Sequence, residues 1–496
     1  MGIIARQAFW NTLLSLVGMA LGFLNMALLF PRYLSPDEFG FTRLVVSIAV
    51  VGAQVAQLGA EATVIRYFPY FRDRSTAHRG FFGSAFLVAT VGAALAMLVL
   101  ALFHERFTVW FGDESGFYAT YGRIAIPLLL AEVYFILLRG FGRAVQRTVA
   151  ATFSREFLLR ILQTGLIAWH ALAGLEFRSF LLLYTGTFML ATLLVALDLW
   201  RAGELRLGLH RMRVPRRMRA SMSRYAFFTL SSGLAVIVVG NVDQVMLGAM
   251  LKDGLSYVAF YAVALFMAGL VMVPARALIL PTLPLMAEAW RKRDMAQLRM
   301  LYHRTAQVQL VLSLYLMIGI WACMDQLFSF LEPAYAAGKP VLLVLGVANV
   351  INLSAGLSAG LVSTSRAYWF DAVSGLAYLV LNLVLDYVFI LWWGMMGAAW
   401  SSLVSLIIVL GWRLIFLYRR YGLWPYDRRT LLTLLVGGAA VAAVAALPAF
   451  ASTASGLLVR GGTATLVFWA GAYVLGLAPD ITALLRTLGA RVGLRQ

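Results

Sequence analysis

Residues 9–30 read FWNTLLSLVGMALGFLNMALLF, an apolar run of 22 residues without a single charged side chain. A helix needs about 20 such residues to cross the hydrocarbon core of a bilayer, because each residue advances the helix by about 1.5 Å. The run is too long for the core of a signal peptide and lacks a small-residue cleavage site. We therefore expect it to remain in the protein as its first membrane span.

The rest of the chain has the same character. Of the 496 residues, 62% are hydrophobic and 13% are charged, against about 45–50% and about 25% in soluble domains. This composition excludes a large water-soluble enzyme domain and predicts an all-α polytopic membrane protein. We place about 14 transmembrane helices along the chain. They cover residues 8–31, 42–66, 79–104, 117–137, 147–172, 177–200, 225–250, 256–285, 305–324, 338–363, 368–391, 395–417, 430–449 and 457–477.

The formal net charge of +19, from 41 Lys and Arg against 22 Asp and Glu, first suggests a nucleic-acid partner. The positions of the charges argue against it. If the N-terminus is cytoplasmic, thirty of the 41 basic residues lie in or beside cytoplasmic loops, as the positive-inside rule requires. We therefore predict that both termini are cytoplasmic and that the protein has no nucleic-acid partner.

The two halves of the chain share a faint repeat. LSPDEFG at 34–40 joins the first two spans, and DQVMLG at 243–248 leads to VAFY at 258–261, at an offset of roughly 219 residues. Both copies begin on the cytoplasmic side, which is typical of parallel repeats. We expect two six-helix lobes related by pseudo-twofold symmetry around a central cavity, plus two C-terminal helices. The predicted domains are an N-terminal lobe (1–200), a basic cytoplasmic linker (201–224), a C-terminal lobe (225–418) and helices 13 and 14 with a basic tail (419–496).

Motifs in both halves carry a resemblance to a known family. They are YLSPDEFG at 33–40, ATVIRYFP at 62–69, NVDQVMLG at 241–248, VAFY at 258–261 and LPTLPLM at 280–286. Together they resemble the polysaccharide transporters of the multidrug/oligosaccharidyl-lipid/polysaccharide (MOP) flippase superfamily. Within it, the chain looks most like the Wzx-type O-antigen and exopolysaccharide flippases.

The resemblance implies a flippase of the bacterial inner membrane. Such a protein moves an undecaprenyl-diphosphate-linked oligosaccharide, the repeat unit of an O-antigen or exopolysaccharide, from the cytoplasmic to the periplasmic leaflet by alternating access. The implied partners are the lipid-linked oligosaccharide, membrane lipids, a polysaccharide polymerase and other assembly proteins.

Three alternatives stay open. Two belong to the same superfamily: a peptidoglycan lipid-precursor flippase and a multidrug or cation exporter. The third is a membrane-embedded polymerase or ligase that acts on the same lipid. Such an enzyme needs a substantial external loop, whereas the longest predicted one has about fourteen residues. The sequence disfavours the third alternative for that reason.

Arginines inside the predicted spans are candidate ligands for the anionic head group, because a charge in hydrocarbon must be paired or must face water. A guanidinium offers two parallel donors to phosphate oxygens. The candidates are Arg123, Arg276, Arg160 and Arg155. Other roles are open to three of them: Arg155 can extend to the interface, Arg160 can pair with Glu156 at i, i+4, and Arg276 can satisfy carbonyls freed by Pro274.

Four polar side chains are candidates for ion coupling or for lining the cavity. They are Glu61, Asp243, Glu132 and Gln57. Gln54, Gln57 and Glu61 have the spacing of one helix face. The transport cycle is driven either by H⁺ or Na⁺ coupling or by the membrane potential. The potential moves two negative charges outward with a gain of about 4–5 kcal/mol per 100 mV.

No catalytic constellation stands out. The five histidines are scattered, and the chain has no glycine-rich phosphate loop. We expect no enzyme activity, no metal site and no cofactor.

Overall fold

A computed structural model describes residues 3–73, 77–111, 116–205, 216–448 and 453–477. Within them the chain is helical apart from short connections. The first half contains α1 (Ile3–Phe23), α2 (Phe30–Tyr33), α3 (Pro36–Ala56), α4 (Ala60–Phe71), α5 (Phe81–Leu102), α6 (His104–Trp110), α7 (Phe117–Tyr121), α8 (Ala125–Ala144), α9 (Val149–Thr152), α10 (Leu159–Ala173) and α11 (Phe177–Arg201).

The second half continues in the same way. It contains α12 (Arg216–Val239), α13 (Val242–Met250), α14 (Gly254–Gly269), α15 (Val273–Lys292), α16 (Met295–Ala322), α17 (Met324–Phe328), α18 (Lys339–Ser354), α19 (Ser358–Ser363), α20 (Tyr368–Trp393), α21 (Met395–Tyr421), α22 (Arg428–Ala445) and α23 (Thr453–Val474). Two π-helical turns, Leu24–Leu29 and Phe153–Leu158, continue α1 into α2 and α9 into α10.

Thirteen helical segments of the described residues are long and apolar enough to cross a membrane. The fifth predicted span, 147–172, is not among the thirteen. It is nevertheless helical from Val149 through Ala173, and it carries the charged residues Arg155, Glu156 and Arg160. With this run included, the segments match the predicted spans one for one. The chain is an all-α polytopic membrane protein, as its composition predicts.

The first-loop motif folds as a helix N-terminus. The Ser35 hydroxyl accepts a hydrogen bond from the Glu38 backbone N–H at 3.3 Å, and the Glu38 carboxylate accepts one from the Ser35 N–H at 2.9 Å. Pro36 occupies the first helical position, where its missing N–H has no helical partner to lose. This capping box fixes where α3 begins.

The second predicted span, 42–66, is not continuous. α3 ends at Ala56, Leu58 and Gly59 have φ of 50° and 74°, and α4 begins at Ala60. A Cβ atom at Gly59 would lie 2.3 Å from the Ala226 carbonyl oxygen of α12, so only glycine fits both the conformation and the contact. The sequence pattern missed the break because both halves of the span are apolar.

Contacts divide the described chain into two compact units. The first comprises Met1–Ala262 and Asp386–Met395, and the second comprises Val263–Leu385 and Met396–Gln496. α12 and α13 therefore associate with the first unit. The predicted lobes, 1–200 and 225–418, stay a prediction, and residues 206–215 of the predicted linker, 201–224, lie outside the described residues.

In the first unit, α8 packs against α3, α4, α5 and α11. In the second, α16 packs against α15, α18, α22 and α23. The C-terminal pair α22 and α23 joins the core around α16 through apolar side chains that include Val311, Ala440 and Phe468. Since α8 is enclosed on several sides, its charged side chains require partners.

Candidate functional site

Four arginines and three glutamates cluster around α8, α4 and the π-helical turn Phe153–Leu158. On the predicted topology, they lie toward the cytoplasmic end of α8. The set consists of Arg139, Arg143, Arg155, Arg160, Glu61, Glu132 and Glu156. Single-turn π-helical segments such as this one are frequent at functional sites.

Glu61 is shared by two arginines of α8. Arg139 donates from Nε and Nη2 to the two Glu61 carboxylate oxygens at 2.9 and 3.0 Å, and Arg143 donates to Oε1 at 3.2 Å. Gly140 allows this approach, since a Cβ atom there would lie 3.1 Å from Glu61 Cγ. Arg143 is half exposed and makes one hydrogen bond to Glu61, so it is the arginine more accessible to an external anion.

Gln57 and Glu61 are in contact, as their spacing predicts, but the contact is not between side chains on one helix face. They do not share a face of one helix, because the chain breaks between them. Instead, the Gln57 side-chain oxygen accepts a hydrogen bond from the Glu61 backbone N–H at 3.0 Å. Gln57 therefore satisfies a free N–H in the first turn of α4.

Glu132 and Arg155 form an ion pair within the first unit. The Glu132 side chain is 6% exposed and that of Arg155 is 29% exposed. The guanidinium carbon of Arg155 lies 5.1 Å from the ring centroids of both Phe135 and Phe188. Arg155 is thus held by a carboxylate and two aromatic rings.

Arg160 ties α10 to α1. It donates to the Glu156 carboxylate at 2.8 Å, the predicted i, i+4 pair, and to the Gly18 carbonyl oxygen. A Cβ atom at Gly18 would lie 2.5 Å from the Glu156 carbonyl oxygen, so the close contact depends on glycine. The Asn25 amide donates to the Arg160 carbonyl at 2.9 Å and strengthens the same junction.

A pocket of about 190 Å³ lies beside these pairs. Its lining is Ser15, Phe135, Arg139, Arg143, Thr148, Ala151, Thr152, Arg155 and Glu156. Three arginines and three hydroxyl-bearing residues line this small volume against one glutamate, Glu156. The excess of hydrogen-bond donors suits an anion with several oxygen acceptors. Among the described residues, no group of three His, Cys, Asp or Glu side chains is placed to hold a metal ion.

Arg123 lies at the opposite end of α8. It belongs to the 3-10 turn Gly122–Ile124, sixteen residues before Arg139, which corresponds to about 24 Å along a helix. Its exposed side chain lines a separate crevice of about 240 Å³ with His104 and Tyr118. The structure therefore does not bring Arg123 together with Arg155.

The two remaining candidates belong to other helices. Asp243 is buried near the start of α13, where the Tyr261 hydroxyl donates to its carboxylate. Arg276 belongs to α15, and its side chain lies outside the described ones.

Sequence reasoning missed Arg139 and Arg143. The predicted fourth span ends at residue 137, which places both in a basic loop, whereas α8 continues to Ala144. A signal was present, because Glu132, Arg139 and Arg143 stand at i, i+7 and i+11, the spacing of one helix face.

Arg147 marks the edge of the cluster. It donates from Nε and Nη2 to the Asp198 carboxylate at 3.0 and 2.6 Å. This hydrogen bonding raises the pKa of Arg147, and its charge is already neutralised by Asp198. Arg147 is not part of the pocket lining.

Solved structures with the same fold include a lipid II flippase and a MATE family transporter of the MOP superfamily. "Lipid II flippase MurJ, inward closed conformation" has a TM-score of 0.74 at 11% identity, covering 95% of this chain and 99% of that chain. The inward-facing conformation of a multidrug resistance MATE family transporter has a TM-score of 0.60 at 15% identity, covering 81% and 95%. A MATE protein in complex with MaL6 has a TM-score of 0.53 at 16% identity, covering 84% and 96%. At these identities the likeness concerns the fold alone.

No curated protein sequence matches the chain. A family described as "Polysaccharide biosynthesis protein" matches residues 4–290, more than half of the chain. The motifs at 33–40, 62–69, 241–248, 258–261 and 280–286 all lie inside that match. The chain therefore belongs to the polysaccharide biosynthesis protein family and has the fold of the MOP transporters.

Proposed function

We propose that the protein is a flippase for undecaprenyl-diphosphate-linked oligosaccharide, the repeat unit of an O-antigen or exopolysaccharide. The observation that carries the proposal is the pocket in which Arg139, Arg143 and Arg155 converge. A diphosphate and its sugars cannot cross bare hydrocarbon, so the path must offer charge-assisted hydrogen bonds. In this proposal the protein is a transporter and not an enzyme.

Arg143 is the proposed first contact of the head group on the cytoplasmic side. It is half exposed and makes a single hydrogen bond to Glu61. A phosphate can therefore replace Glu61 as the partner of Arg143, while Arg139 keeps its two hydrogen bonds to Glu61. Arg155 is proposed to bound the same pocket from the π-helical turn, and Arg160 is proposed to act beside it from the start of α10, through its pair with Glu156 in the lining. Their existing partners, Glu132 and Glu156, then set how strongly they attract the substrate.

Glu61 is the proposed ion-coupling group. Its protonation would remove the negative charge that holds both Arg139 and Arg143. Both guanidiniums would then be available to bind the anionic head group. Glu132, Asp243 and Gln57 are proposed as supporting polar groups, with H⁺ or Na⁺ as the coupling ion. The membrane potential adds about 4–5 kcal/mol per 100 mV for two outward-moving negative charges.

Arg123 and Arg276 are proposed to meet the head group later in the path. Arg123 is at the outer end of α8 on the predicted topology, so it would act when the head group has crossed. The proposal keeps the predicted lobes, 1–200 and 225–418, as the moving bodies of alternating access. It also keeps both termini cytoplasmic, the inner membrane as location, and a polysaccharide polymerase and other assembly proteins as partners.

A peptidoglycan lipid-precursor flippase is the second candidate. The likeness to "Lipid II flippase MurJ" at a TM-score of 0.74 favours it. A multidrug or cation exporter fits less well, because arginines outnumber acidic residues three to one in the lining of the pocket.

The test is a deletion strain complemented with variants of equal expression. We expect Arg139→Gln with Arg143→Gln to abolish surface polysaccharide and to leave lipid-linked repeat units on the inner face of the membrane. Arg147→Gln is the matched control, since it removes a neighbouring charge outside the pocket, and it should support normal display. Normal display by the double variant would overturn the role of the pocket.

The same strain separates the two candidate functions. Loss of viability on deletion, with accumulation of peptidoglycan precursor, would favour the second candidate. Single variants Arg123→Ala, Arg276→Ala and Arg160→Ala then test the remaining proposed contacts, each of which should reduce display.

A further inference from the structure

A groove of about 520 Å³ lies on α21, in the second unit. Its lining is Trp412, Ile415, Phe416, Arg419 and Arg420. The spacing of these residues is that of a single helix face. Along the axis they extend over about 12 Å, with apolar side chains at one end and two guanidinium groups at the other.

The apolar part of the groove is held in place by packing against α20. The Phe370 ring of α20 stacks on Phe416 with centroids 3.8 Å apart and planes 7° apart, and it meets Trp412 edge-on at 4.9 Å. Trp412 and Ile415 are nevertheless 42% and 50% exposed. Because α21 is a candidate membrane span, these exposed apolar side chains can contact acyl chains.

The two arginines of the groove lack a carboxylate partner among the described residues, unlike Arg413 on the same helix. Arg413 donates to Asp371 at 3.5 Å and to Ser374 at 3.1 Å. The next acid along the chain, Asp427, accepts hydrogen bonds from backbone N–H groups at the start of α22. Arg419 and Arg420 are exposed, so both guanidiniums are accessible to an external anion.

We propose that this groove binds an anionic glycerophospholipid of the cytoplasmic leaflet. α21 is one of the candidate membrane spans, so its last turn lies at the bilayer interface, on the cytoplasmic side in the predicted topology. One acyl chain lies against Trp412, Ile415 and Phe416, and the phosphate lies between the two guanidiniums. Basic pockets at this depth are suited to anionic head groups. The inference is independent of the proposed transport function.

The lining argues for a phospholipid rather than for a lipid-linked sugar. It contains no amide, hydroxyl or carboxylate group. The side chains of the lining offer hydrogen-bond donors but no acceptor, and the hydroxyl groups of an oligosaccharide need both. A phosphodiester with an acyl chain needs only cations and apolar surface.

Native mass spectrometry of the purified full-length protein tests the proposal, with phosphatidylglycerol and phosphatidylcholine as probes. We expect phosphatidylglycerol to remain bound and Arg419→Gln with Arg420→Gln to lower its retention more than tenfold, since each arginine near an anionic surface contributes about fivefold. Arg291→Gln with Arg299→Gln removes the same charge from other exposed positions of the second unit and should leave retention unchanged.

Ile415→Trp fills the groove and keeps both charges, so it should also displace phosphatidylglycerol. Equal retention by the wild type and the Arg419→Gln, Arg420→Gln variant would overturn the proposal. So would equal retention of phosphatidylcholine. Displacement by equimolar undecaprenyl diphosphate that depends on the same two arginines would also overturn it, and would assign the groove to the substrate.

Discussion

Asp37 and Ser256 are 219 residues apart and share a hydrogen bond, in which the Ser256 hydroxyl donates to the Asp37 carboxylate at 2.5 Å. The separation equals the repeat offset inferred from the sequence. Under that offset each residue is the counterpart of the other, and counterparts touch only where a twofold axis passes. The pseudo-twofold relation itself stays a prediction. It joins the first turn of α3 to the first turn of α14.

Cross-linking this pair should stop transport. In a Cys323→Ala background, Asp37→Cys with Ser256→Cys should form a disulfide on oxidation, because the two side-chain oxygens are already in contact. If alternating access requires the two helix ends to separate, oxidation blocks surface polysaccharide and reduction restores it. Each single cysteine variant is the control. A cross-linked protein that still displays polysaccharide would contradict this prediction.

Gly40→Ala should destabilise the protein. A Cβ atom there would lie 1.8 Å from the Leu255 carbonyl oxygen, a backbone atom that can move only with its helix. Overpacking of this kind costs about 1–3 kcal/mol or more. Gly186→Ala is the matched control, because nothing lies within 4 Å of its Cβ position. The thermal unfolding midpoint in detergent should fall for Gly40→Ala alone, and equal midpoints would refute the close approach.

Glu61 and Arg143 should be energetically coupled. Glu61→Gln leaves two guanidiniums without their carboxylate, so it should cost more in the presence of Arg143 than in its absence. A double-mutant cycle with Arg143→Gln should give a coupling energy of about 0.5–3 kcal/mol in the free energy of unfolding. Additive effects would show that the hydrogen bond contributes nothing to stability.

Breaking the buried Glu132–Arg155 pair should cost more than breaking an exposed one. Arg155→Gln leaves the buried carboxylate unpaired and should cost about 3–5 kcal/mol. Adding Glu132→Gln should recover much of that loss. Lys339→Gln is the control, because its Asp325 partner is 64% exposed and such pairs contribute about 0–1 kcal/mol. Similar losses in the free energy of unfolding for both single variants would contradict the burial argument.

The spans were predictable because hydrophobic length is a local property. The pairing of Glu156 with Arg160 was predictable for the same reason, since i, i+4 spacing places them together on a helix. The pairs Glu61–Arg139 and Glu132–Arg155 were not, because they join different helices whose packing the sequence does not reveal.

Two further features escaped sequence reasoning for specific physical reasons. The break after Ala56 depends on a left-handed backbone at Leu58, which an apolar pattern does not encode. Arg123 and Arg155 are both predicted ligands of the head group because each interrupts an apolar run. In the structure, the length of α8 separates Arg123 from the cluster that contains Arg155. A charge inside a span predicts that a partner is needed without indicating which helix supplies that partner.

We expect the break at 57–59 to let the two parts of the second span move separately during transport. Asp37 lies at the N-terminal end of the span and Glu61 just beyond the break, so the two parts take part in different contacts. A rigid rod would force the two contacts to change together. In a broken span, one contact can open while the other stays closed. The change in direction is made at two residues with positive φ, Leu58 and Gly59.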